Sequence, residues 1–389
     1  MRRPPEARSA TRSFVELVAL ALVAAVVGRA WLVQNFIVPT SSMAGTLRGM
    51  HRQVTCADCG HRFACGTDLR PIQTRARCPS CGFAENALAD LPDLSGDRIL
   101  VHKTAFAARQ PHRWEAVVFR SPEEPDKICV KRAVGLPGET IQIIDGDVHV
   151  DGRIARKPLE QQRPLWIPVH AVEARSAERA PRWQSDASET AWHRDGAVFR
   201  YRRAGDADTG IEPRDAPIDW LVYHHRVRTP AGALEQPIVD DLSYNQNLFR
   251  RQEHFRPVRA RVLQRRLQST GSGHVALLAT DGRDEFELRI APSSGQVELF
   301  HDGEPVAKAT VPAARLTRPT DFEWSLVDRQ VVVALDGQAV LPAYPFSAAA
   351  RPLRPTSRPF ACGAAGVDTE VSELTVVRDL NGDDVADEY

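Results

Sequence analysis

Two residues of this chain have the types and surroundings for nucleophilic chemistry. Ser42 lies in Phe36-Ile-Val-Pro-Thr-Ser-Ser-Met-Ala-Gly-Thr-Leu47, directly after an apolar N-terminal segment. Lys131 lies in Ile128-Cys-Val-Lys-Arg-Ala-Val-Gly-Leu-Pro-Gly138, an apolar strand pattern that breaks at a Gly-Leu-Pro-Gly turn. A serine hydroxyl is a weak nucleophile until a base takes its proton, and a lysine serves as that base when burial disfavours its charge. Ile128, Val130, Ala133 and Val134 flank Lys131 and supply apolar surroundings. A Ser-Lys pair is a recurring variant of the serine-hydrolase arrangement.

These stretches resemble bacterial type I signal peptidases, membrane-bound serine proteases that remove signal peptides from secreted proteins. The family's first box reads roughly Pro-Ser-x-Ser-Met-x-Pro-Thr-Leu, which puts its nucleophile at Ser42. Its lysine box, Lys-Arg-x-Val-Gly-Leu-Pro-Gly, matches Lys131 to Gly138 without a gap. Ser95-Gly-Asp-Arg-Ile-Leu-Val-His-Lys103 is similar to the family's Gly-Asp strand box, and Trp114-Glu-Ala-Val-Val-Phe119 to the strand before the lysine box. Four stretches in the family's order make chance agreement a poor explanation. The resemblance runs through the N-terminal segment to about Gly152.

The resemblance implies Ser42 as nucleophile and Lys131 as general base, with the oxyanion held by the Ser42 backbone N–H and the Thr40 hydroxyl. Thr40 stands where the family has a serine and keeps the hydroxyl. Gly45 replaces the family's usual proline. Val38, Met43 and Val130 are expected to line a shallow apolar pocket for small side chains, and Arg132 to support the lysine strand. The family also carries a late Gly-Asp-Asn box, followed by a serine and an aspartate that orient the lysine. Nothing here matches it fully. Gly382-Asp383-Asp384 is followed by no serine before Tyr389. Two expectations follow: a frame that continues beyond Tyr389, or a site that has lost a part.

The elements that must position this pair begin with the N-terminus. Arg2, Arg3, Arg8 and Arg12 face one acidic residue, Glu6, ahead of a largely apolar run over residues 13–38 that Glu16 and Arg29 interrupt. Residues 17–28 carry no charge, and with tilt and snorkelling ends the run approaches the roughly 20 residues a membrane span needs. A cleaved signal peptide and a buried helix fit the same composition. The expected arrangement is a basic cytoplasmic tail (1–12), a retained transmembrane helix (13–35) and an extracytoplasmic catalytic core (36–152), oriented by the positive-inside rule in the cell (inner) membrane. The partners expected are the lipid bilayer and preproteins bearing signal peptides. A formal net charge of zero suggests no nucleic-acid partner.

Cys56-Ala-Asp-Cys59-Gly60 and Cys78-Pro-Ser-Cys81-Gly82 are two knuckles with eighteen residues between them, the spacing of a zinc ribbon. The interval is too short for its own apolar core, so a structural zinc ion would supply most of the folding energy of this insert, 54–84. Two disulfides are the alternative outside the cytoplasm. Four thiolates would close the coordination shell, so no catalytic metal is expected. Cys65 lies in the interval as a spare, and Cys129 and Cys362 are isolated and expected to pack.

Residues 153–255 show no clear periodicity and predict an irregular connecting region with short strands; 240–247 is polar and turn-like. Over 256–379, strands are predicted at 262–267, 274–279, 284–290, 296–300, 322–327 and 330–335. Asp281-Gly282, Ser294-Gly295, Asp302-Gly303 and Asp336-Gly337 punctuate them. This series resembles a concanavalin/laminin-G-type jelly roll, which implies a possible carbohydrate or protein ligand and equally an inert spacer. Residues 380–389 are read as a tail. The fold class expected is mainly β: an N-terminal helix, a signal-peptidase β-fold, a small ribbon and an antiparallel sandwich. Membrane-bound signal-peptide cleavage is the function expected. The alternative is a catalytically incomplete, membrane-anchored binding scaffold that uses the sandwich. A self-cleaving Ser-Lys regulator would need a DNA-binding N-terminus, where the apolar segment stands instead.

Overall fold

The computed structural model describes residues 10–68, 73–172, 181–203, 216–229, 231–239, 244, 261–347 and 352–379. The polar stretch at 240–247, apart from Tyr244, and the tail at 380–389 lie outside the described residues. The chain is mainly β.

Alanine, leucine and valine dominate the first element, the helix Ala10–Val27, which ends in a π-helical turn, Gly28–Leu32. Its large apolar side chains, including Phe14, Leu17, Leu20 and Val26, are exposed. Among the described residues no helix is long and apolar enough to cross a membrane. The helix also stops earlier than the expected 35. Val33–Ile37 is a strand, paired antiparallel with Arg98–His102 from Val33↔His102 to Ile37↔Arg98. The β-branched and aromatic residues here find a pleated partner in Ile99, Leu100 and Val101, which overrides continuation of the helix.

Two further small sheets follow. Ala116–Arg120 pairs with Ile128–Arg132 and sets Val117 opposite Lys131. Ile141–Ile144, Asp147–Val150 and Arg153–Ile154 form a three-stranded meander. Its turns are Asp145-Gly146 and Asp151-Gly152.

The sandwich is built on two long strands. Arg261–Thr280 runs antiparallel to Phe360–Arg378 from Arg261↔Arg378 to Ala279↔Phe360, with a bulge between Gly271 and His274. The segments predicted separately at 262–267 and 274–279 are therefore one strand that the bulge bends rather than ends. Glu285–Ala291, Gln296–His301, Thr320–Val327 and Gln330–Leu335 lie where alternation placed them. Glu304–Thr310 and Phe360–Arg378 are strands that the sequence pattern did not predict. The second opens Phe-Ala-Cys-Gly-Ala-Ala-Gly, a composition of low strand propensity that burial between Arg261–Thr280 and Asp219–Tyr223 overrides.

Residues 153–255 are not a separate connecting region. Ile167–Ala171, Val198–Tyr201 and Asp219–Tyr223 all pair with Phe360–Arg378, so the sheet begins well before 256. The core contains Trp183, Phe199, Tyr223, Phe286, Phe322 and Trp324, and Cys362 is packed within it.

A buried ionic cluster joins the sandwich to the segment carrying Lys131. Lys157 Nζ lies 2.7 Å from Asp328 Oδ1 and 2.9 Å from Asp379 Oδ2, and 4.6 Å from the centre of the Trp114 ring. The Lys157 backbone N–H donates to Asp328 Oδ2 at 2.8 Å. Burial alone would pull the ammonium down; Asp379 and Asp328 outweigh it and hold Lys157 above its ordinary value. Its contribution is thus fully present at neutral pH and is lost only as pH rises through that raised value.

Removing the ammonium strands two buried carboxylates. Lys157→Ala is expected to lower stability by about 3–5 kcal/mol, read from the midpoint and slope of chemical denaturation. A loss below about 1 kcal/mol would show that the cluster contributes no more than a surface pair.

Candidate active site and cysteine centre

The serine loop leaves the strand Val33–Ile37 and is tied at once to the Gly-Asp stretch. Val38 N–H donates to Asp97 C=O at 2.9 Å, and Arg48 N–H to Asp97 Oδ2 at 2.7 Å. The approach is close: a β-carbon at Gly96 would stand 1.9 Å from the Val38 carbonyl oxygen, and one at Gly49 would stand 2.4 Å from the Thr40 carbonyl carbon. Both positions therefore require glycine. Within the loop, Ala44 N–H donates to Ser41 C=O at 2.8 Å and Thr46 N–H to Met43 C=O at 2.9 Å.

Ser42 is half-buried in this turn and Thr40 is exposed. Val38 and Met43 are buried, and Lys131 and Val130 are half-buried on the strand Ile128–Arg132. Thr46 joins the serine loop to the lysine strand. Its hydroxyl donates to Pro164 C=O at 2.9 Å and accepts from the Arg132 guanidinium. Arg132 also donates to Trp114 C=O at 2.9 Å. Burial draws Arg132 below its ordinary value, and the Asp379 carboxylate opposes that shift. Arg132 thus braces its own strand and reaches the loop four residues beyond Ser42.

The cysteines form a second centre. Cys56, Cys59, Cys78 and Cys81 bring their sulfurs within 4.8 Å of one another, with Cys56–Cys81 at 3.5 Å and Cys59–Cys78 at 3.7 Å. All four are free thiols. A tetrahedral metal with bonds of about 2.3 Å needs its sulfurs roughly 3.8 Å apart, whereas a disulfide needs about 2.05 Å. The two knuckles repeat one pattern. Cys56 N–H donates to His61 C=O and Gly60 N–H to Cys56 C=O; Cys78 N–H donates to Phe83 C=O and Gly82 N–H to Cys78 C=O.

Asn86, which the spacing argument missed, locks the knuckles together. Its Oδ1 accepts from Ala57 N–H, and its Nδ2 donates to Ala76 C=O and Phe83 C=O. Hydrogen bonds from Cys78 draw Cys56 down to about 6 and Cys59 down to about 2, and the same contacts push Cys78 up. Four sulfurs this close cannot all lose their protons without a cation among them; the donor set fits a structural metal. Cys65 is fully buried outside the set, and burial pushes its thiol up to about 11.

Asp68, also missed, reaches the serine loop from the cysteine insert. Its Oδ2 accepts from the Ser41 hydroxyl at 2.7 Å and from the Ser41 N–H at 2.9 Å. No motif signals this contact, because its two residues are separated by most of the first knuckle and its hairpin.

Residues 85–188 match the model of the family "Signal peptidase, peptidase S26". Signal peptidase I of Rickettsia bellii (strain OSU 85-389) is 29% identical over 146 residues, covering 37% of this chain and 40% of that protein. Signal peptidase I V of Bacillus subtilis (strain 168) is 36% identical over 63 residues, covering 16% of this chain and 36% of that protein. The chain spans less than half the length of these relatives. Among solved structures, a carbohydrate binding module from Bacillus subtilis overlaps 40% of this chain and 94% of its own, at 12% identity and a TM-score of 0.24. A Bacillus subtilis protein of unknown function with a galectin-like fold overlaps 55% and 99%, at 7% identity and a TM-score of 0.33. The family match and the relatives support a type I signal peptidase, with which the cysteine cluster and the large sheet are compatible as insertions.

The purified chain is expected to hold about one metal ion per molecule at the four thiolates. Chelation should then expose Arg75 and Arg77 to trypsin while the strands at 320–335 stay resistant. Absence of metal, with nicking only after a reductant, would establish disulfides instead.

Proposed function

Starting from the segment shared with type I signal peptidases, we propose that this chain is a membrane-anchored serine endopeptidase that cleaves signal peptides from secreted preproteins. The observation that carries this reading is the placement of the Ser42 loop. It leaves the strand Val33–Ile37 that follows the exposed apolar helix, and Thr46 holds it against the strand that bears Lys131.

Lys131 takes the Ser42 proton as the hydroxyl attacks the scissile carbonyl. The Ser42 N–H and the Thr40 hydroxyl receive the developing oxyanion. Protonated Lys131 then delivers its proton to the leaving amine, and water repeats the sequence on the acyl-enzyme. Val38, Met43 and Val130 shape an apolar site for small side chains. Zinc is the metal this reading assigns to Cys56, Cys59, Cys78 and Cys81; it would stabilise the fold there without taking part in the reaction.

The exposed apolar side chains of the helix Ala10–Val27, Phe14, Leu17, Leu20 and Val26 among them, support the membrane assignment, although the helix by itself is not long and apolar enough to cross a bilayer. Arg12 and Glu16, its charged residues, pair with each other at 3.0 Å. The basic residues before it put the N-terminus in the cytoplasm and Ser42 near the outer surface, where an embedded signal peptide presents its cleavage site. The sandwich, as the largest packed body, supports a second reading as a scaffold for a carbohydrate or protein ligand, with the peptidase part degenerate.

Ser42→Ala and Lys131→Met are each expected to reduce preprotein cleavage by about 10⁴-fold or more. Lys131→Arg should fail as completely, because arginine does not give up its proton. Turnover surviving in either of the first two variants would rule out the dyad. Separately, reporters fused after Leu47 should be active only in an extracytoplasmic format; activity of a cytoplasmic reporter there would reverse the orientation.

A further inference from the structure

We infer that Asp68 is a positioning residue for the Ser42 backbone N–H, and that through it the cysteine centre controls the competence of the serine loop. This inference rests on the peptidase reading above and concerns a part of the chain to which that reading gives only a stabilising role.

Ser41 is buried, and each of its backbone polar groups is engaged. Its N–H donates to Asp68 Oδ2 and its C=O accepts from Ala44 N–H at 2.8 Å. The Ser41 carbonyl and the Ser42 N–H belong to one planar peptide unit. Fixing Ser41 N–H on one side and Ser41 C=O on the other therefore fixes the direction of the Ser42 N–H, the donor assigned to the oxyanion. Asp68 adds a third restraint by accepting from the Ser41 hydroxyl at 2.7 Å. A carboxylate makes these hydrogen bonds stronger than a neutral acceptor would.

Asp68 depends in turn on the cysteine insert. It lies just beyond the strand Arg62–Gly66, whose partner His51–Thr55 leads into the first knuckle at Cys56. The end of that strand is stitched to the base of the serine loop. Thr67 N–H donates to Met50 C=O at 2.9 Å, Gly66 N–H to Tyr244 C=O at 2.8 Å, and Tyr244 Oη to Gly49 C=O at 2.9 Å. Gly49 is the residue on which Thr40 rests. The apolar core of the insert is small, with Val54, Phe63, Ala76 and Leu88 grouped around the cysteines. A metal at the four thiolates therefore carries much of its folding energy, and loss of that metal releases the hairpin that presents Asp68.

The test uses the full chain in lipid vesicles. Amide hydrogen exchange of the 38–47 peptide is followed in metal-loaded wild type, after chelation, and in Asp68→Ala, Asp68→Asn and Ser41→Ala. Chelation and Asp68→Ala should each accelerate exchange at 41–47, while exchange at 320–335 stays slow in both. Asp68→Ala should retain its metal. Asp68→Asn, which keeps an acceptor oxygen, should lie closer to wild type than Asp68→Ala does. In preprotein cleavage, Asp68→Ala should lower kcat by about 10- to 100-fold with KM changed less than about twofold, as expected for a misdirected transition-state donor. Ser41→Ala, which loses only the side-chain bond, should show a smaller drop. Metal removal that leaves exchange at 41–47 unchanged would overturn the inference, as would an Asp68→Ala chain with unaltered kcat. If wild type cleaves no preprotein, the peptidase reading fails, while the exchange measurements still decide whether Asp68 couples the two sites.

Discussion

The antiparallel pairing of Arg261–Thr280 with Phe360–Arg378 is the constraint on which the rest depends. It brings together segments about a hundred residues apart, and closing so long a loop is repaid only by burying both strands in one core. The closing strand also receives Ile167–Ala171, Val198–Tyr201 and Asp219–Tyr223 along its length, so the middle of the chain folds onto the sandwich. Where it ends it delivers Asp379 to Lys157, which lies over the ring of Trp114. Trp114 accepts from Arg132, the neighbour of Lys131. A continuous set of contacts therefore runs from the edge of the sandwich to the lysine strand.

The serine loop is held from three directions. Asp97 binds its two ends, Arg132 reaches Thr46, and Asp68 secures Ser41. Asp97 and Arg132 belong to stretches with peptidase character, and Asp68 belongs to the cysteine insert. A loop that must hold an N–H in a fixed direction gains from restraints on separate elements, because each removes freedom that the others leave. The insert thereby becomes part of the site's support.

Much of this was legible in the sequence wherever local chemistry decides the outcome. The knuckle spacing located Cys56, Cys59, Cys78 and Cys81, since a tight turn by itself sets the distance between the sulfurs of each pair. Alternation with Asp-Gly turns located strands such as Gln330–Leu335. The peptidase boxes placed Ser42 and Lys131 in a turn and a strand. What stayed hidden is non-local. Phe360–Arg378 is rich in alanine and glycine where it is most buried, and its strand character comes from neighbours distant in sequence. Asp68 and Asn86 are ordinary polar residues until the fold sets them against Ser41 and the knuckles. The helix ends before the expected 35 because Val33–Ile37, apolar enough to extend it, becomes a strand through its pairing with Arg98–His102.

In the proposed mechanism Ser42, activated by Lys131, attacks a peptide carbonyl. The most direct measurement is rapid acid quenching of the full chain turning over a preprotein in vesicles, followed by mass spectrometry of its peptides. A transient acyl adduct is expected on the peptide containing Ser42, at the hydroxyl of that residue, and no such adduct in Lys131→Met. Cleavage that proceeds without an adduct, or with the adduct on a different residue such as Ser41, would contradict it.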